Sequence, residues 1–391
     1  MSRICLKSWS VSYANRIKPE LWYEEVISTL KSGEAFSVSS LPSSLVEGHW
    51  PTALAPMQDV TGLPFMKVVA KRGAPDFFFS EFFRVHAHSK IDPEILSSIT
   101  DNPTDRPVFA QLIGENIEDL KRTVEAFRAF PVAGIDLNLG CPAPRVFRKN
   151  VGGGLLRMPK QIRKILLMLR KEVSTLLTVK MRIGFEDDRF FRDLLGIINE
   201  TGVDLLSLHA RTVLGGYRSV PSYRHVGEAV QLANCPVLLN GNVTSCESAR
   251  ELKNITGAHG VMIGRSAIRN PWIFRQIREA QTGSTIFRPK LLDVYEYIVE
   301  LYDGLRKPEI EERKNVGRMK KFLNFVGLSV DREGGFLHGM RRAQNAQELF
   351  KVCSVFLKEK GNDLRPFNPE PFEGLVARPS SETPQDSCAL S

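Results

Sequence analysis

Apolar residues in this chain follow two alternating rhythms. Between residues 52 and 265, short runs of consecutive apolar residues are each followed by a stretch in which apolar positions recur every three or four residues. The short runs are 52–57, 76–82, 108–114, 134–140, 176–183, 205–211, 236–242 and 260–265, each bounded by turn-forming or charged residues. Their length and continuous apolarity predict strands buried on both faces. Helical spacing is clearest at 115–130, 158–173, 189–201 and 245–256. Eight strand-helix units in this span predict a (β/α)8 barrel, a fold that occupies ~250 residues. An open doubly wound sheet is the alternative, but its first turn is usually glycine-rich, and Met57-Gln58-Asp59-Val60 is not.

Beyond Arg265 the strand rhythm stops. Leu291, Val294, Ile298, Leu301 and Leu305 keep one apolar helix face, and Phe322, Phe325, Leu349, Phe350 and Val352 suggest others. The organisation expected is an N-terminal extension at 1–48, a TIM-barrel catalytic domain at 49–285, a small helical domain at 286–362 and a flexible Pro-, Ser- and Glu-containing tail at 363–391.

Composition narrows the class. The 391 residues are 42% hydrophobic and 25% charged, which suits a soluble globular protein. No run is long enough to span a membrane, and residues 1–15 lack the apolar core of a secretory signal, so a cytoplasmic protein is expected. Six scattered cysteines without a Cys-x-x-Cys pair or histidines at zinc spacing argue against a disulfide framework or a metal site. The formal net charge of +9 favours an anionic partner, nucleic acid before membrane.

In a barrel of this kind catalytic groups come from the C-terminal strand ends, and polar residues collect there. Cys141, in Asn138-Leu139-Gly140-Cys141-Pro142, is held between a glycine and a proline; it can act as nucleophile or general acid, or pack as a small hydrophobe. Lys180 closes an apolar run, so its ammonium should emerge at the barrel mouth against an anion or an electron-rich ring, unless it snorkels to solvent. His209 can donate to a ligand or serve as a satisfied core histidine. Asn240-Gly241-Asn242 and Gly264-Arg265 end the seventh and eighth runs, the usual phosphate corner, where glycine admits backbone amides to an anion and arginine binds it with two hydrogen bonds. From Arg145 to Lys171 there are nine Lys or Arg and no Asp or Glu, a single-sign run beginning beside Cys141 that points to a polyanion such as RNA. A second basic group, Arg313, Lys314, Arg318, Lys320 and Lys321, is partly offset by nearby glutamates.

Taken together and in order, several short motifs resemble the tRNA-dihydrouridine synthases. They are Leu54-Ala55-Pro56-Met57, Ala110-Gln111-Leu112, the Asn-x-Gly-Cys-Pro segment at 138–142 followed by Gly152-Gly153-Gly154-Leu155-Leu156, Val179-Lys180-Met181-Arg182, His209-Ala210-Arg211-Thr212, Asn240-Gly241-Asn242 and Met262-Ile263-Gly264-Arg265, across roughly residues 50 to 345. The resemblance implies an FMN-binding barrel with a helical tRNA-binding domain. It also implies that Pro56, Met57, Gln111, Lys180, His209, Asn240, Gly241, Asn242, Gly264 and Arg265 surround FMN. Cys141 would then be the general acid. By the same resemblance NADPH or NADH reduces the flavin, hydride passes to uracil C6 and Cys141 protonates C5, on a base taken out of its stack. Asn138 and Arg211 would hold that base, and Arg145, Arg148 and Lys149 the tRNA phosphates. A monomer is expected.

The segment 213–223 departs from the pattern, with Gly215-Gly216-Tyr217 and Pro221-Ser222-Tyr223 where many members carry a Gln and an Ala-Asp-Trp. Ser80-Glu81-Phe82-Phe83-Arg84-Val85 looks closer to one bacterial branch. Two other readings compete. One is an FMN-dependent dihydroorotate- or dihydropyrimidine-type dehydrogenase acting on a free base, against which the basic run argues. The other is an RNA-binding protein that has kept the barrel and lost the chemistry.

Overall fold

Each of the eight apolar runs becomes a stave of one closed parallel sheet. The computed structural model describes residues 50–217, 219–361 and 363–378. The N-terminal extension 1–48, residues 379–391 of the expected tail, and with them Cys5 and Cys388, lie outside the described residues. The strands are β1 (Thr52–Leu54), β2 (Phe77–Phe79), β3 (Phe83–Arg84), β4 (Val108–Ile113), β5 (Gly134–Leu139), β6 (Leu176–Arg182), β7 (Leu205–His209), β8 (Val237–Asn240) and β9 (Gly260–Ile263). Neighbours pair in parallel in sequence order, β1 meets β9, and β2 meets β4, which closes the barrel.

The second stave is in two pieces: β2 falls inside the apolar run 76–82, and β3 lies just beyond its end. Both β2 and β3 pair with β4, Phe78 opposite Val108 and Phe83 opposite Leu112. Between them Ser80 spends its hydroxyl on its neighbours: Oγ accepts from the Gln111 N–H at 3.1 Å and donates to the Glu81 carbonyl at 2.8 Å. That hydroxyl replaces a ladder bond, so the backbone at Glu81 leaves the sheet.

Helices return the chain from each stave to the next. They are α1 (Leu63–Lys71), α2 (Pro93–Thr100), α3 (Ile117–Phe127), α4 (Pro144–Phe147), α5 (Pro159–Glu172), α6 (Phe191–Glu200), α7 (Tyr223–Leu232), α8 (Cys246–Thr256), α9 (Arg265–Arg269) and α10 (Ile273–Thr282). Local chemistry sets their ends. The Asn116 side chain accepts from the Asp119 N–H to start α3, while Ser245 and Ser248 cap α8 reciprocally and Gly257, at φ 70°, stops it.

Inside the barrel, the inward positions change character along each strand. At the N-terminal end Ala53, Phe77, Phe79, Phe109, Leu176, Leu205, Leu238 and Met262 form one buried apolar plug, with the Phe79 and Phe109 rings stacked at 4.9 Å. Two residues further on, the same face carries Gln111 after Phe109, Asp136 after Gly134, Thr178 after Leu176, Ser207 after Leu205 and Asn240 after Leu238. A period of two keeps these on the inner face. The barrel is therefore dry at one end and polar at the other.

The helical segment consists of α11 (Leu291–Leu305), α12 (Glu312–Val326), α13 (Gly335–Arg342) and α14 (Ala346–Leu357). It shares its core with the barrel. The Phe65 and Phe322 rings lie 5.3 Å apart, and the buried Tyr297 hydroxyl donates to the Ile268 carbonyl at 3.0 Å. Residues 363–378, assigned to a flexible tail by composition, are instead pinned to this body. Pro366 bridges Lys290, Phe367 and Ala377 are buried, and the Pro369 carbonyl accepts from both Arg269 and Ser329. A few anchoring side chains and satisfied carbonyls order a stretch whose average composition suggests none. No helix among the described residues is long and apolar enough to cross a membrane.

Candidate active site

A cavity of about 770 Å³ opens at the C-terminal ends of the strands. Pro56, Met57, Asn138, Cys141, Arg145, Lys180, His209, Asn240, Gly241, Asn242, Gly264 and Arg265 all line it, drawn together from residues 56 to 265 by barrel closure. Four residues expected in the site stand elsewhere. Gln111 is completely buried beneath the cavity in the polar layer. Arg211 is also interior: its Nε donates to the Ser219 carbonyl at 2.5 Å and a guanidinium nitrogen to Asn242 Oδ1 at 3.1 Å, so it braces the two loops flanking the cavity. Arg148 and Lys149 are exposed at the end of α4, outside the lining.

Beneath the cavity the polar layer forms one chain of hydrogen bonds. Gln111 Nε2 donates to Asp136 at 2.6 Å, Thr178 Oγ1 donates to the other oxygen of that carboxyl at 2.6 Å, and Asn138 Nδ2 donates to Gln111 Oε1 at 2.8 Å. The Asn138 carbonyl oxygen then accepts from the backbone N–H groups of Gly140 and Cys141, both at 3.0 Å. The loop bearing the Cys141 thiol is thus fixed from the barrel interior. Gly152 and Gly153 press on its other side, where an added Cβ would come within 3.1 Å of Cys141 Cβ and 2.8 Å of its carbonyl respectively. Burial pushes the Asp136 carboxyl up to about 6.

Opposite this loop the wall is cationic. Lys180 Nζ donates to Asn240 Oδ1 at 3.0 Å, and Asn240 Nδ2 donates to the Met262 carbonyl at 2.8 Å. Burial, with Arg182 beside it, pulls the Lys180 ammonium down to about 8. Burial and then the charges of Arg182, Lys180, Arg211 and Arg265 hold His209 far below the ordinary histidine range, so its ring is neutral at pH 7. Its Nδ1 is buried with no hydrogen-bond partner among the described residues, a cost that a ligand can relieve. Gly241, at φ 117°, bends the chain past His209, and a Cβ there would lie 3.4 Å from the imidazole. A Cβ on Gly264 would touch Met57 Sδ at 3.4 Å.

Several lining residues stand outside the expected set. Arg182 donates to the carbonyls of Gly140, Thr212 and Gly216, tying the Cys141 loop to the 213–220 loop. Tyr217 lays its ring 4.0 Å from the Arg265 guanidinium carbon and 5.5 Å from that of Arg182. Arg182 and Tyr217 were visible as motif and departure respectively; Asp136 had only its inward register, two residues before Asn138, to mark it. Lys321, Asn324 and Phe325 of α12, and Arg378 at the end of the described chain, also line the cavity. Lys321 ion-pairs with Asp59 at 3.0 Å, and the Asp59 N–H donates to Glu81 at 2.6 Å, a carboxyl that burial pushes up to about 7.

The long basic run is divided by the fold. Only Arg145 reaches the cavity, where it donates to Gln58 at 3.2 Å. Arg163 pairs with Glu200, and Arg170 with Asp204 at 2.8 Å. Carboxylates more than thirty positions away in sequence thus pair with two cations of what reads locally as a single-sign helix. Among the described residues no group of His, Cys, Asp and Glu is arranged to hold a metal ion.

Comparison with known proteins bears on the same span. A probable tRNA-dihydrouridine synthase of Helicobacter pylori is 34% identical over 257 residues, 64% of this chain and 78% of that protein. A tRNA-dihydrouridine(16) synthase of Neisseria meningitidis is 29% identical over 316 residues, 78% of this chain and 94% of the relative. Among solved structures, the old yellow enzyme homologue from Zymomonas mobilis covers 61% of this chain and 89% of its own at a TM-score of 0.40 and 12% identity. The dihydrouridine synthase (Dus) family model matches residues 53–325, and the chain therefore belongs to that family.

Proposed function

We propose that this protein reduces a uridine in tRNA to 5,6-dihydrouridine, with FMN as its bound cofactor and NADPH or NADH as the reductant. The observation that carries this reading is the placement of Cys141, on a loop locked by Asn138, in the wall of a cavity whose other side is cationic. The cavity residues fit FMN. The unpartnered Nδ1 of neutral His209 and the backbone space left by Gly241 and Gly264 suit the phosphate-bearing end, together with Arg265. Lys180 suits the electron-rich edge of the ring. When bound, the flavin supplies hydride for uracil C6.

The chain's own residues then have separate tasks. Asn138 orients the Cys141 backbone, and the cysteine Sγ–H gives its proton to C5 as negative charge develops on the base. The thiol regains a proton from solvent. Lys180 and Arg182 stabilise the charge that builds up before that proton arrives. Gln111 acts one layer below, by holding Asn138. Arg145 and the helical segment, through Lys321, meet the RNA as the target base leaves its stack.

The test is dihydrouridine content, by nucleoside mass spectrometry, in unmodified tRNA incubated with purified protein, FMN and NADPH, with dihydroorotate oxidation run in parallel. New dihydrouridine is expected. Its absence from several tRNAs with flavin bound, alongside dihydroorotate turnover, would replace this reading with a free-pyrimidine dehydrogenase.

A further inference from the structure

We propose that residues 363–378 form a substrate-binding strap and that Arg378 takes a backbone phosphate of the RNA whose uridine enters the cavity. This rests on the tRNA reading above. The strap lies beyond residues 53–325, the span matched by the family model.

Its path is held at successive points. The Phe367 N–H donates to the Pro289 carbonyl at 2.8 Å, and Phe367 is buried. The Pro369 carbonyl accepts from Arg269 Nε at 3.2 Å and from Ser329 Oγ at 2.8 Å. The Phe372 N–H donates to the Leu328 carbonyl at 2.8 Å, Arg341 donates to the Val376 carbonyl at 2.6 Å, and Ala377 is buried. Pro366, Pro369 and Pro371 restrict the chain between these anchors. Ordering so polar a stretch costs conformational entropy, and each anchor offsets part of it. The next residue is Arg378, whose guanidinium carbon lies 5.5 Å from the centre of the Phe325 ring, with both residues in the cavity wall.

Charge identifies the class of ligand. Among the described residues the wall carries Arg145, Lys180, Arg182, Arg265, Lys321 and Arg378 and one carboxylate, Asp59, which pairs with Lys321. Position separates Arg378 from the cofactor corner. Arg265 is half-buried beside the glycine turns, whereas Arg378 is exposed, so its ligand is an anion that stays partly in water. A phosphodiester of a polyanion at the cavity mouth meets that condition. A planar, weakly hydrated guanidinium oriented by an aromatic face suits a phosphate better than an ammonium would.

The full-length protein and its R378Q and R378K variants test this by tRNA reduction, flavin content and tRNA filter binding at several salt concentrations. R378Q should keep its flavin and raise KM for tRNA about five- to tenfold with kcat within about twofold, as one charged hydrogen bond is lost. Its log-log salt slope should flatten by roughly one, and R378K should recover part of both effects. Unchanged tRNA KM and slope in R378Q overturns the proposal. So does loss of flavin or a raised KM for NADPH, because either places the guanidinium on a cofactor phosphate. If wild type binds tRNA without reducing it, the reductase reading fails while filter binding still decides the role of Arg378. Wild type that does not bind tRNA overturns both.

Discussion

Cys141 depends on atoms that never touch a substrate. Its N–H is held by Asn138, Asn138 by Gln111, and Gln111 by Asp136, so the position of the thiol is decided by a buried amide chain. Removing the thiol leaves that chain and the cationic wall in place. Cys141→Ala should therefore retain flavin and lower dihydrouridine formation by about 10²-fold or more, the usual worth of a positioned proton donor. Equal rates for variant and wild type would remove Cys141 from the reaction. Lys180 makes a prediction about pH. Burial and Arg182 favour its neutral form and bring its pKa down to about 8, so the cation is present below that value and is lost above it. FMN affinity, followed by flavin fluorescence, should hold steady near pH 7 and fall as pH rises through about 8, and Lys180→Met should lack this fall. A wild-type affinity unchanged to pH 9.5 would mean that the ammonium does not contribute.

At the scale of the element, each stave performs two jobs along its length. The first inward residue of a strand packs the plug, and the next ones carry polar groups to the cavity; Phe109 and Gln111 of β4, and Leu176, Thr178 and Lys180 of β6, are the clearest cases. The plug is the floor on which the polar layer stands. Phe109 is fully buried against Phe77 and Phe79. Phe109→Ala should cost about 3–5 kcal/mol of stability, read as a lower urea midpoint with the same slope. A shift of under about 1 kcal/mol would show that the floor can collapse around the deletion. The break between β2 and β3 also has a use: it brings Glu81 out of the sheet to hold the Met57 to Val60 turn through the Asp59 N–H.

The whole molecule joins its two halves around one cavity. Strand ends supply most of the wall, while α12 and the strap add Lys321, Asn324, Phe325 and Arg378 from the opposite side. If the substrate is tRNA as proposed, a net charge of +9 and six cations in the cavity wall make its association a matter of displaced counterions. Raising salt from about 50 to 200 mM should increase KM for tRNA by at least tenfold, while KM for NADPH changes far less. Parallel changes in the two constants would assign the cationic wall to the dinucleotide rather than to RNA.

Hydrophobic period and turn chemistry place the staves, helices α3, α5, α6, α8 and α11 and the strand-end residues, because both are properties of neighbours along the chain. Asn138, Cys141, Lys180, His209, the Asn240 to Asn242 turn and Arg265 could be marked in this way, and barrel closure brings them into one wall. Folding settled what depends on residues far apart in sequence. It moved Gln111 and Arg211 from the ligand wall to the layer and loops that support it. It paired Arg163 and Arg170 with Glu200 and Asp204. It divided the second stave at Ser80, and it pinned a stretch that composition assigns to a tail so that Arg378 reaches the cavity. In each case the deciding partner is remote in sequence, and neither local hydrophobic period nor local charge count carries information about it.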